Sequence, residues 1–230
     1  MRRGHSLLAE GGHGLSIFFA AIFLLALIGQ SLAGLAEFNE EQLAHGLEPT
    51  SYVDFVTSSA FVVDVAENWQ SEFLQFFLFI LATIWLVQAG SSESKKVGDE
   101  GPGSDADQLV GKHAKRNSPK WAKVGGWRTT VYSNSLLIVM GAIFLLSWWT
   151  QSISGQVVYN QEQAEHGQAA VDWLEYVMSA DFWNRTLQNW QSEFLAVGSM
   201  IAFSIFLRQR GSSESKPVGT PHTQASIESE

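Results

Sequence analysis

The sequence predicts an all-α membrane protein, with four transmembrane helices in two tandem helical hairpins of parallel topology and short extracytoplasmic helices between the paired spans. Three observations predict it. A composition of 46% hydrophobic and 16% charged residues would suit a soluble domain, but here the apolar residues are gathered into blocks. The chain aligns with itself, without a gap, at an offset of 121 residues. Lys and Arg, apart from Arg185, stay out of the segments that join paired apolar blocks.

The first block, Leu15 to Ala36, carries no Asp, Glu, Lys or Arg. A helix of about 20 apolar residues crosses the roughly 30 Å of bilayer hydrocarbon, so this block is a span. The segment after it holds Glu37, Glu40, Glu41, Glu48, Asp54, Asp64 and Glu67 and no Lys or Arg. It is long for a structureless connection, which predicts short helices within it. Asn39 and Gln42 have N-cap and N3 spacing, and Gly46 stands where a terminating glycine would, predicting a helix of about two turns. From Ser58 the pattern continues as helix through Asn68-Trp69-Gln70-Ser71-Glu72-Phe73-Leu74 into the second span, Phe73 to Ala89. That span is short unless its helix begins before Glu72. Glu72 then lies at the membrane surface, where it costs less than the roughly 2.5 to 3.5 kcal/mol of a charge at a helix centre, and Trp69 lies at the outer interface.

Residues 1–98 thus form a first two-span unit, and residues 99–133 a cytoplasmic linker. Its first part, Asp99 to Val110, is rich in Gly, Asp and Ser and reads as flexible and solvated. Its second part, Lys112 to Arg128, mixes six basic residues with Trp121 and Trp127. A basic-aromatic segment directly before a span lies against anionic lipid headgroups, so residues 112–128 are assigned to the bilayer surface and no nucleic acid is expected as a partner.

Residues 134–219 form the second unit, and residues 220–230 are expected to be a disordered tail. The spans of this unit are Leu136 to Gly155 and Phe194 to Leu207. At the 121-residue offset Gln30, Ser31 and Gly34 meet Gln151, Ser152 and Gly155, and Asn39, Glu41, Gln42, His45 and Gly46 meet Asn160, Glu162, Gln163, His166 and Gly167. The heptapeptide NWQSEFL recurs at Asn189 to Leu195, and Gly90-Ser91-Ser92-Glu93-Ser94-Lys95 recurs as Gly211 to Lys216. So many matches at one offset predict a duplicated two-helix unit and an internally symmetric bundle.

Orientation follows from the cations. Arg2 and Arg3 precede the first span, eight Lys or Arg lie between the second and third, and Arg208, Arg210 and Lys216 follow the fourth. Both termini and the linker are therefore cytoplasmic and the acidic segments external. Each unit enters and leaves on one side, which excludes an inverted repeat.

Two constellations are candidates for chemistry. Glu41 with His45, and Glu162 with His166, are acid and imidazole one helical turn apart, and two such pairs brought together would suit zinc or another divalent metal. The same spacing serves a solvated helix end, where His meets the terminal carbonyls and the acid one turn back. Glu72 and Glu193 stand at the membrane surface, suited either to proton or cation handling or to fixing the depth at which each helix enters. The Gln-Ser-Gly sets are small and amide residues of the kind that pack helices in lipid. No cysteine is present, which excludes disulfides, thiolate metal sites and thiol nucleophiles. No catalytic residue or bound cofactor is assigned.

With its duplicated NWQSEFL and GSSESK elements, the chain resembles a family of small bacterial inner-membrane proteins known only as a domain of unknown function. The resemblance implies the same four-span plan and a bacterial source, and it implies no activity, cofactor or catalytic residue. A structural or interaction protein of the cell envelope, with an extracytoplasmic protein partner, suits the acidic outer segments. A small ion or solute transporter is the alternative, although such proteins place ionisable or broken-helix elements near the midplane and these spans hold almost none.

Overall fold

In the computed structural model, residues 12–225 are described, so Arg2, Arg3 and residues 226–230 lie outside the described residues. Among the described residues the chain is all-helical, without strands. The helices are α1 (Gly14–Ala44), α2 (Tyr52–Val56), α3 (Ser59–Trp85), α4 (Lys120–Val124), α5 (Gly126–Ser133), α6 (Ser135–Glu165), α7 (Trp173–Val177) and α8 (Ala180–Phe206), with a single 3-10 turn at Gly111–His113. The bounds of α6, α7 and α8 are those of α1, α2 and α3 moved by 121 residues. Two compact units are present, Met1–Asp64 and Val65–Glu230.

Two helices, α1 and α6, are long and apolar enough to cross a membrane. Each has 31 residues, or about 46 Å at ~1.5 Å per residue, which exceeds the hydrocarbon thickness. Their apolar side chains are largely exposed, among them Leu15, Phe18 and Leu25 on α1 and Leu136, Leu145 and Leu146 on α6. The helices α3 and α8 are not among those that pass as spans; their N-terminal parts carry Asp64, Glu67 and Asn68, and Asp181, Arg185 and Asn189.

The short separate helix expected from Asn39 to Gly46 does not form. Instead α1 runs unbroken to Ala44, because Glu40, Glu41, Gln42, Leu43 and Ala44 all favour helix and nothing before Gly46 interrupts it. The terminating glycine is where the spacing puts it. Gly46 has φ +74° and Gly167 φ +68°, the left-handed conformation that costs glycine no Cβ clash. The amides of Leu47 and Gln168 reach back to the carbonyls of Gln42 and Gln163, each at 2.8 Å, closing both helix ends in the same way.

Asn39, not needed as a cap, does a different job. Its amide nitrogen donates to the Thr50 carbonyl at 3.1 Å and its oxygen accepts from the Thr50 amide at 2.6 Å. Asn160 clamps Val171 in the same two-handed way, at 3.0 and 2.8 Å. Each clamp ties the strand-like stretch that follows α1 or α6 back onto its helix. The short helices are then capped by Ser51, whose hydroxyl accepts from the Asp54 amide, and by Asp172 and Glu175, which form a reciprocal capping box. Asn160→Ala is expected to lower stability by about 1 to 2 kcal/mol, two hydrogen bonds' net contribution, and Asn39→Ala by a similar amount. Thermal unfolding of the purified chain in nanodiscs checks this.

Beneath each clamp an aromatic ring seats on a glycine. In the first unit Phe55 packs on Gly34, with Phe38 and Phe61 at ring-centroid distances of 5.5 Å each. In the second Tyr176 packs on Gly155, with Tyr159 at 5.5 Å and Phe182 at 5.6 Å. Ser31 hydrogen-bonds the Tyr52 hydroxyl at 3.0 Å, and Ser152 accepts from the Trp173 indole at 3.0 Å.

The two GSSESK stretches also fold alike. The Gln88 amide donates to Ser94 Oγ at 2.7 Å and the Gln209 amide to Ser215 Oγ at 2.8 Å. Glu93 and Glu214 donate their amides to Ser91 and Ser212, both at 3.1 Å. The Lys216 ammonium is 1% exposed and donates to the carbonyls of Gly90, Pro221, His222 and Gln224, which holds the chain from Pro221 to Gln224 in place.

Candidate functional site

Beyond Asp64, the helices α3, α6 and α8 bury polar residues where a soluble bundle would bury apolar ones. On α6, Ser147, Gln151 and Ser154 follow one another at four and three residues and are all buried, so they form one polar stripe. On α3, Gln70 and Ser71 are buried, and on α8 Thr186 is. Three of these, Gln70, Gln151 and Thr186, are wholly inaccessible.

The stripe is cross-linked by hydrogen bonds and rings. The Trp190 indole donates to Gln70 Oε1 at 2.8 Å, joining α8 to α3. Gln151 Nε2 donates to Thr186 Oγ1 at 3.4 Å, joining α6 to α8. Trp148 stacks between Phe144 and Phe182 at 5.6 and 6.1 Å and lies 6.1 Å from both Trp183 and Trp190. Three polar atoms in this layer have no hydrogen-bond partner among the described residues: Gln70 Nε2, Gln151 Oε1 and Trp148 Nε1. Each buried group left unpaired costs about 1 to 3 kcal/mol.

One turn from this layer stands a charged cluster. Arg185 meets Asp181 at 3.5 Å and Glu67 at 3.6 Å, and the Tyr176 hydroxyl donates to Asp181 at 3.3 Å. Burial pushes the Tyr176 phenol well above its ordinary range, and the Asp181 carboxylate pushes it further. Burial works against the Arg185 cation, but Asp181 and Glu67 outweigh it and hold the guanidinium above its usual value. Tyr176 is thus a hydroxyl donor and Arg185 a permanent cation at neutral pH.

The Glu-His pairs occupy the ends of α1 and α6. His166 Nδ1 lies 2.8 Å from the Glu162 carbonyl oxygen, so this imidazole caps its own helix end. Glu41, His45, Glu162 and His166 are all exposed or half-exposed, and among the described residues no three His, Asp or Glu side chains converge as metal ligands. Glu72 is exposed and Glu193 half-buried, and the two carboxylates lie within electrostatic range of each other. The paired heptapeptides differ in their surroundings: Gln70, Ser71 and Leu74 are buried, whereas Gln191, Ser192 and Leu195 are exposed. Trp69 is 41% exposed, but Trp190 turns inward to Gln70. In the linker, Trp121 and Trp127 meet edge to face at 5.9 Å, with the Arg128 guanidinium 5.6 Å above the Trp127 ring.

Thr186, Arg185, Trp148 and Tyr176 lie in no motif, and Gln70 stands in the repeated heptapeptide with nothing to set it apart from Gln191. Arg185 alone carries a signal, as the single cation of an otherwise cation-free segment.

No curated protein and no solved structure matches the chain. A family model described as a domain of unknown function, DUF6766, matches residues 8–227. That match takes in every helix, both capped segments and the buried polar layer, and on it the chain belongs to the DUF6766 family.

Proposed function

We propose that the chain is a four-span integral protein of the bacterial inner membrane, built from a duplicated hairpin, with both termini in the cytoplasm, and that it serves the cell envelope as a structural or interaction protein. The observation that carries this is the pair of locked caps. Asn39 and Asn160 clamp the same positions, Phe55 and Tyr176 seat on equivalent glycines, and Tyr52 and Trp173 bond equivalent serines. A connection that served only to join two spans needs no such rigidity, whereas a surface presented to a protein partner does. The caps present Val53 and Leu174, at equivalent positions, and Met178, exposed by 67%, 62% and 75%.

In this arrangement α3 and α8 cross the bilayer with α1 and α6, and their polar outer thirds stand at or above the outer headgroups. The exposed apolar surfaces of α1 and α6 face lipid. The exposed Trp121, Val124 and Trp127 beside the linker's cations rest on anionic headgroups of the inner leaflet. Reporters fused after Lys95 and at the C-terminus are expected to be cytoplasmic, and reporters near Glu48 and Ala169 external; a cytoplasmic signal at either external site overturns the four-span plan. For the interaction role, a photo-crosslinking residue at Val53 or at Leu174 is expected to capture the same protein in cells. Lipid adducts alone at both positions would sink it.

The buried polar layer favours a second role, passage of a small polar species. Flux across proteoliposomes, with Gln151→Leu as the control that removes the layer's acceptor, tests that role.

A further inference from the structure

We propose that the layer formed by Gln70, Gln151, Thr186 and the Trp148 indole is an internal water-binding site, reached by solvent past the Arg185 cluster. The composition of the unpaired atoms selects the ligand. Gln70 Nε2 and Trp148 Nε1 are donors, and Gln151 Oε1 is an acceptor. An anion would satisfy only the donors and a cation only the acceptor, whereas water does both and makes about three hydrogen bonds when buried.

The orientation of each amide decides which of its atoms is left over. Gln151 donates to Thr186 through its nitrogen and so keeps its oxygen as the layer's acceptor; turned over, it would leave a third donor instead. Gln70 is fixed as it stands, because its oxygen already accepts from the Trp190 indole at 2.8 Å. The three atoms sit on two helices, Gln70 on α3 and Trp148 and Gln151 on α6, and α8 ties the two together: Trp190 donates to Gln70 and lies beside Trp148, and Thr186 accepts from Gln151.

Access is set by sequence spacing. Glu67 precedes Gln70 on α3 and Arg185 precedes Thr186 on α8, so the charged cluster lies within about one helical turn, ~5.4 Å, of the layer. The side chains of Arg185, Asp181 and Glu67 are themselves 32%, 32% and 17% exposed. Solvent therefore reaches the charged residues, and the polar layer continues from them into the bundle.

The absence of cysteine makes the test clean, since each introduced thiol is the sole one. Thr186→Cys and Gln151→Cys are treated with a small hydrophilic methanethiosulfonate, with Met178→Cys on the cap and lipid-facing Leu145→Cys as references. Thr186→Cys is expected to react about tenfold faster than Leu145→Cys, because a thiol in apolar surroundings is held neutral and unreactive. A rate at Thr186→Cys no higher than at Leu145→Cys, with Met178→Cys fully labelled, would overturn the site. The side to which reagent must be added rests on the proposed topology and is read from Met178→Cys alone, so an inverted orientation is distinguished from a dry layer. The unmodified chain supplies a second measurement: magnetization transfer from water to the Trp148 indole proton is expected. Its absence, where exposed Trp127 gives the signal, also overturns the proposal.

Discussion

Tyr176→Ala is expected to lower the stability of the second unit by about 3 to 5 kcal/mol, the range for truncating a fully buried aromatic side chain. Tyr176 is 0% exposed and joins α6, α7 and α8. Its ring lies against Tyr159 and Phe182 and seats on Gly155, while its hydroxyl reaches Asp181, which in turn holds Arg185. Truncation leaves a cavity between α6, α7 and α8 that rigid helices close only in part. Tyr176→Phe keeps the ring and gives up one long hydrogen bond, so it is expected to cost about 1 kcal/mol or less. Unfolding in nanodiscs, followed by Trp fluorescence, measures both. A cost for Tyr176→Ala below that of Asn160→Ala would mean that the cap is held by its clamp and not by this ring.

Much of the fold is legible in the sequence because apolar blocks and glycines act locally. Each long helix takes in most of an apolar block, although α3 stops at Trp85, short of the block's end at Ala89; α3 and α8 start ahead of the paired heptapeptides, and Gly46 and Gly167 end their helices. Gly34 and Gly155, read as packing positions, each receive a ring. Asn39 misleads because an N-cap pattern is also compatible with an unbroken helix, and only the position of Thr50 shows what its side chain binds. The buried layer is hidden for a related reason. Gln70 and Gln191 have identical neighbours in sequence, yet one is inaccessible and the other exposed. What buries Gln70 is an indole supplied by α8 from 120 residues away, and no local pattern encodes that. Gln30 and Gln151 divide in the same way, one exposed and one inaccessible.

Gly155→Ala gives the sharpest sign reversal. Within a helix, replacing glycine by alanine ordinarily stabilises by roughly 0.5 to 1 kcal/mol, because alanine loses less backbone freedom on folding. Gly198 in α8 shows that ordinary case, with nothing within 4 Å of where its Cβ would be, so Gly198→Ala is expected to stabilise. At Gly155 a Cβ would overlap the Tyr176 hydroxyl oxygen and come within 3.0 Å of the ring carbon that bears it. Tyr176 has no room to retreat, being pinned by Tyr159, Phe182 and Asp181. Overpacking of this kind costs about 1 to 3 kcal/mol and should outweigh the helix gain. The equivalent site in the first unit indicates how to relieve it. A Cβ at Gly34 would meet a phenylalanine, Phe55, at 2.9 Å, with no hydroxyl in the way. Gly155→Ala should therefore cost less in a Tyr176→Phe background, with a favourable coupling of about 1 kcal/mol between the two changes. A double-mutant cycle on thermal unfolding reads that coupling directly. Additive costs would mean that the ring, and not its hydroxyl, sets the distance of closest approach between α6 and α7.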